Sequence, residues 1–141
     1  MWVVVHTVSG MAVGHVLVAH GYPVVLLAAL ALHLLLDLVP HWDYTRSEHA
    51  RRWAVADVSA SVAVLALASI ALGVDAKVIV AGVVSAAPDL DSINALRNSP
   101  RRWRVFPSHW RGFPHGACAP VPGVLTQAAV VAASVAVLFL A

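Results

Sequence analysis

The apolar residues of this chain come in long blocks, not in amphipathic stripes, and that limits it to few architectures. Four blocks are clear and one is short: Trp2 to Ala19, Tyr22 to Val39, Trp53 to Leu72, a piece ending at Ala87, and Gly123 to Ala141. The composition agrees, with 60% hydrophobic and 11% charged residues, where a soluble domain has roughly 25% charged. Blocks this apolar suit an integral membrane protein. The expected fold is all-α, a polytopic membrane helix bundle of about five helices forming one domain over residues 1–141. The fourth block holds only about a dozen residues, short of the ~20 that cross a bilayer. The first block lacks a basic leader region and carries His6, Gly10 and Gly14, so it reads as structure and not as a cleaved signal. Gly10 and Gly14 form a GxxxG pattern, able to bring the first helix close to a neighbour. Cys118 is the sole cysteine, which rules out an intrachain disulfide.

The charges fall unevenly on this frame. Arg46, Arg51 and Arg52 follow the second block; Arg97, Arg101, Arg102, Arg104 and Arg111 follow the fourth. With one crossing per block these loops share a side, and Lys77 alone lies on the other. The positive-inside rule then predicts an inner-membrane protein with a cytoplasmic N-terminus and the C-terminus outside. Trp42, Trp53, Trp103 and Trp110 sit where an interfacial aromatic belt is expected.

The same threading gathers most of the buried polar chemistry at the cytoplasmic end. The second block closes on His33-Leu-Leu-Leu-Asp37, with the two ionisable groups one helical turn apart. Pro40 stops the helix and His41 and Asp43 follow. His6 opens the first helix, Asp57 the third, Asp89 and Asp91 follow the fourth, and His109 and His115 precede the fifth. Ionisable groups at apolar helix ends are costly unless paired or bound, and imidazole with carboxylate suits zinc, with manganese or magnesium next. The expected ligands are His6, His33, Asp37, Asp57, Asp89 and His115. Asp91 or His41 would complete the shell or act as a general base, and Arg111 would grip an anionic oxygen. His15, His20 and His49 read as structural or solvated. A faint repeat accompanies the pattern: Pro40-His41-Trp42-Asp43 and Pro88-Asp89-Leu90-Asp91 each close a helix pair. It predicts two related hairpins plus a C-terminal helix.

Four pieces resemble a family of bacterial and archaeal inner-membrane proteins described as predicted metal-dependent hydrolases, the YdjM-like group. They are His6 with Gly10, His33-Leu-Leu-Leu-Asp37, Pro88-Asp89-Leu90-Asp91, and His109-Trp-Arg111-Gly112-Phe-Pro-His115-Gly116. The last is similar to that family's His-Arg-Gly-x-Thr-His-Ser signature, with Trp110 inserted, Pro114 for Thr and Gly116 for Ser. The order of the His-x-x-x-Asp and Pro-Asp-x-Asp pieces is reversed here. His-x-x-x-Asp also resembles ligand pairs of zinc-dependent phospholipases C and related nucleases. The resemblance implies a metal-dependent hydrolase, and the depth of the cluster suggests a phosphoester or similar lipid-borne bond, with membrane lipid as partner. The competing class is non-enzymatic: an ion- or proton-binding transporter, or an assembly subunit braced by a polar cluster. No serine-hydrolase order or phosphate-binding glycine loop is present, no nucleic-acid partner is expected, and an oligomer is left open.

Overall fold

The structure is a computed structural model that describes residues 1–91, 104–110 and 112–140. Arg97, Arg101, Arg102, Trp103 and Arg111 therefore lie outside the described residues. Among the described residues there are five α-helices: α1 (Val3–Val16), α2 (Tyr22–Leu38), α3 (Ala50–Ile70), α4 (Ala76–Ala86) and α5 (Pro120–Leu140). Among the described residues the extended pairing is one isolated parallel bridge, His41 to Ala117.

Three boundaries differ from expectation for local reasons. α1 stops at Val16, short of Ala19. α3 starts at Ala50, so Arg51 and Arg52 belong to its first turn and not to the preceding loop. α5 starts at Pro120. Pro120 and Pro122 open this helix because the first-turn N–H groups have no intrahelical acceptor to lose.

α1 is the hub. Every residue from Val5 to Ala12 is buried, and α1 packs against all four other helices. Its GxxxG pattern is used inside the chain, against α4. A Cβ on Gly10 would stand 2.5 Å from Ser85 Cβ, and one on Gly14 would stand 2.7 Å from Ala81 Cβ. Gly82 returns the contact, lying under Met11 and the Thr7 carbonyl. Small residues facing small residues let the two backbones approach. Advancing along α1 means retreating along α4, so the pair is antiparallel.

The remaining directions follow from long-range contacts. The Trp2 amide donates to Gln127 Oε1 at 3.0 Å, and the Ser9 and Ser134 hydroxyls share a 3.0 Å hydrogen bond, so α5 runs parallel to α1. Val25, Ala29 and Ala81 form one apolar cluster between α2 and α4; Met11, Ala68 and Val78 form another among α1, α3 and α4. Thus α1, α3 and α5 begin at the end where α2 and α4 finish. Two equivalent hairpins would pack α2 on α3 as extensively as α1 on α4. Here α4 lies on α1 and α2, and the packing is asymmetric.

At the far end, Lys77 Nζ donates to the Val18 and His20 carbonyls at 2.7 and 2.8 Å. That ties the start of α4 to the α1–α2 turn. α3 and α5, at 21 residues each, are long and apolar enough to cross a membrane, and only 22% and 17% of their most apolar windows are buried.

Candidate metal centre

The beginning of α1 is fixed by its neighbours. The first amides of a helix lack intrahelical acceptors. Here the Val3 and Val4 amides donate to the two oxygens of Asp57 at 2.8 and 2.9 Å, and Tyr44 adds its hydroxyl at 3.0 Å. Asp57 is expected as a ligand; in the structure its carboxylate, supplied by α3, caps the first turn of α1. It joins none of the groups able to hold an ion among the described residues. Trp2 is held alongside, its ring 5.8 Å from Trp42 and 5.9 Å from Trp53. Trp2, Trp42 and Trp53 therefore form one aromatic cluster.

With α1 so placed, His6 meets the end of α2. His6, His33 and Asp37 are fully buried. His6 Nε2 lies 3.3 Å from Asp37 Oδ1, and the His6 and His33 rings stack with centroids 3.9 Å apart. His33 Nδ1 donates to the Ser85 carbonyl at 2.6 Å. A carbonyl only accepts, so Nε2 is left to face Asp37 Oδ2, 3.1 Å away. Such a bond to the outer nitrogen is how ligating histidines are oriented.

The turn after α4 brings Asp89, and the loop before α5 brings His109. His109 Nε2 lies 3.6 Å from Asp37 Oδ2 and 3.7 Å from Asp89 Oδ1; His6 Nε2 lies 3.8 Å from Asp89 Oδ2. His6, Asp37, His109 and Asp89 thus close a ring, with His33 against Asp37. The approaches are near but badly directed for hydrogen bonds. His6 Nε2, His33 Nε2, Asp37 Oδ2 and Asp89 Oδ2 are all buried without a hydrogen-bond partner. Two atoms each ~2.1 Å from a tetrahedrally held ion stand roughly 3.4 Å apart. The observed separations match the edges of a coordination shell, and these groups could hold a metal ion.

His109 was not among the expected ligands. Its partner Asp91 accepts the Val105 and Phe106 amides on Oδ2, both at 2.8 Å, and that oxygen lies 3.6 Å from His109 Nδ1. Arg104 donates to the His109 carbonyl at 2.8 Å. Asp91 therefore shapes the loop and backs His109. The sequence signal for His109 was its place beside His115 in the same polar segment.

A second cluster adjoins the first. The His41 amide donates to the Gly116 carbonyl, the Gly116 amide to the Asp37 carbonyl and the Cys118 amide to the His41 carbonyl, each at 2.8 Å. A side chain at Gly116 would run into the Val39 carbonyl, so glycine is what permits this approach. Gly112, by contrast, has open space around it and needs glycine for its φ of +96°. The ladder sets His115 beside His41, with their Nε2 atoms 3.2 Å apart. Asp43 turns away, accepting the Thr45 amide at 2.9 Å.

Burial, then the charge of the nearby Met1 amine, pulls His41 down to about 4, and burial lowers His115. Burial thus favours the neutral, lone-pair-bearing form of both rings. Burial pushes Asp89 up to about 6. Burial opposes charge on His109 too, but Asp37 and Asp89 outweigh it and raise its pKa. Two buried carboxylates draw positive charge to the point where an ion would sit. The Met1 amine also lies 3.0 Å from Asp37 Oδ1. Arg111 lies outside the described residues, so its expected grip on an anion has no geometry here. Comparison with protein-family models, curated proteins and solved structures finds no match to this chain.

Proposed function

We propose that the chain is a membrane-integral, metal-dependent hydrolase of the kind its YdjM-like motifs imply, acting on a phosphoester or related lipid-borne bond at the cytoplasmic face. The observation that carries this reading is that His6 Nε2, His33 Nε2, Asp37 Oδ2 and Asp89 Oδ2 are buried and unpartnered, in adjoining groups of residues able to hold an ion. Oxygen and imidazole donors without thiolate favour zinc, with manganese or magnesium as alternatives. A divalent ion held there would polarise a phosphoryl oxygen and lower the pKa of a water. The chain's own groups do the rest. The Ser85 carbonyl and Asp91 hold His33 and His109 in register, while His41 and His115 form the wall beside the centre.

Three features support the membrane setting. α3 and α5 leave apolar side chains such as Val62, Leu67, Leu125 and Phe139 exposed, which favours lipid contact over water. Arg46, Arg51, Arg52 and Arg104 gather at the ligand end and Lys77 at the other, which favours a cytoplasmic centre. An apolar groove of about 650 Å³ between α1, α2 and α5 is lined by Ser9, Ala12, Leu32, Leu36 and Ser134.

The test is metal analysis of the detergent-purified chain, followed by turnover on a panel of lipid phosphoesters. A bound divalent ion and metal-dependent release of the headgroup are expected. No turnover with metal bound would end the phosphoesterase reading. No ion even after reconstitution would favour a second reading, a non-enzymatic subunit in which the same residues bind a proton or only brace the bundle. For topology, a cysteine placed at Ser47 in a Cys118→Ser background should resist impermeant reagents in intact cells; strong labelling would reverse the orientation.

A further inference from the structure

We infer that the centre is built for two ions, the second held by His41, His115 and Asp37, with Asp37 shared between both. This deepens the metal-centre reading and rests on it. His41 is fully buried, and its Nδ1 donates to the Val39 carbonyl at 2.8 Å. Its Nε2 therefore presents a lone pair to His115 Nε2, 3.2 Å away. If His115 carries its proton on Nδ1, two lone pairs face each other. If it carries the proton on Nε2, Nδ1 is left bare, and that atom is buried without a partner. A shared cation removes the first conflict, because 3.2 Å is also the separation of two nitrogens on one ion. The His115 Nδ1 is without a partner in either tautomer, so the contact between the two Nε2 atoms is what the ion explains.

The third donor is in place. One ligand atom each from Asp37, His41 and His115 lie within 4.8 Å of one another. Their spacing is set by backbone, since the Asp37 carbonyl, the Gly116 amide and carbonyl, and the His41 amide are linked in series. Asp37 also faces His33 and His109 through Oδ2 and His6 through Oδ1. One carboxylate serving two neighbouring groups is the arrangement of two-ion sites, whose ions stand ~3.5–4 Å apart and clamp both the attacking and the leaving oxygen of a phosphoester. His115 is only partly buried, which puts the second position on the side a substrate reaches.

The experiment is metal stoichiometry of the full chain in detergent, saturated with Mn²⁺ and desalted, with electron paramagnetic resonance on the same samples. The wild type should hold two ions per chain with an exchange-coupled spectrum. His41→Ala and His115→Ala should each hold one, with the spectrum of an isolated ion, and Asp37→Asn should lose both. His115→Gln, which keeps the side chain's bulk, guards against misfolding and should match His115→Ala. One ion per chain in the wild type, or a coupled pair that survives both histidine variants, overturns the second position and leaves the first standing. No ion in any sample overturns the metal-centre reading and this one together.

Discussion

Asp57 and Asp37 are both buried, both on apolar helices and both at the same end of the bundle, yet they differ in kind. Asp57 accepts from three donors already committed to it, two backbone amides and a tyrosine hydroxyl. Asp37 is surrounded mainly by imidazole nitrogens, which donate or accept according to their protonation, and one of its oxygens is left without a hydrogen bond. Burial of a carboxylate is thus no sign of a ligand by itself. What separates anchor from ligand is whether the surrounding donors are already committed.

The contrast can be broken by substitution. Asp57→Ala should have the largest effect on folding, because it strands two amides and a hydroxyl. At about 1–3 kcal/mol for each buried group left unpaired, the loss should be roughly 4 kcal/mol in denaturant titration. Metal per folded molecule should be unchanged. Wild-type stability in this variant would remove the anchor role. Asp37→Asn inverts the pattern: metal affinity should fall on the order of 100-fold or more, while the metal-free protein melts far closer to wild type than Asp57→Ala does. Full occupancy in Asp37→Asn would exclude it as an essential ligand.

Two milder changes sharpen the distinction. Asp91→Asn keeps an acceptor for the Val105 and Phe106 amides but removes the charge behind His109. An affinity loss of about 10-fold is expected from titration with a competing chelator; no change would confine Asp91 to loop shape. Tyr44→Phe leaves Asp57 both amides and should cost about 1 kcal/mol, with metal content untouched. A metal loss there would show that the anchor and the centre are coupled.

Much of this was readable in the chain because charges in apolar sequence are confined to helix ends. Alternating direction then forces His6, His33, Asp37 and Asp89 to one end whatever the packing. The residues that sequence misplaces are those decided by tertiary contact. Whether Asp57 meets a metal or an amide depends on how closely α3 lies to the start of α1, and nothing in its own segment records that. His109 reaches the centre through a short turn, Pro107–His109, held by Asp91 and Arg104. The need for glycine at position 116 comes from the Val39 carbonyl, far off in sequence. The apparent hairpin repeat describes the prolines well, since His41 and Asp89 both reach the clusters. It fails for His6 and Asp57, which share a register but not a partner.

The hydrogen bond from Trp2 to Gln127 spans 125 positions, and that has a consequence in time. On a ribosome adding ~5–20 residues per second, the acceptor emerges roughly 6–25 s after the donor. The loop carrying His109 and His115 is also made late, just ahead of that final helix. Through this interval the two earliest helices are an unfinished pair, with His6, His33 and Asp37 made but their later partners unmade. On the proposed metal-centre reading, loading would follow completion of the chain, and a nascent chain arrested before Gln127 should bind divalent ions far more weakly than the released protein.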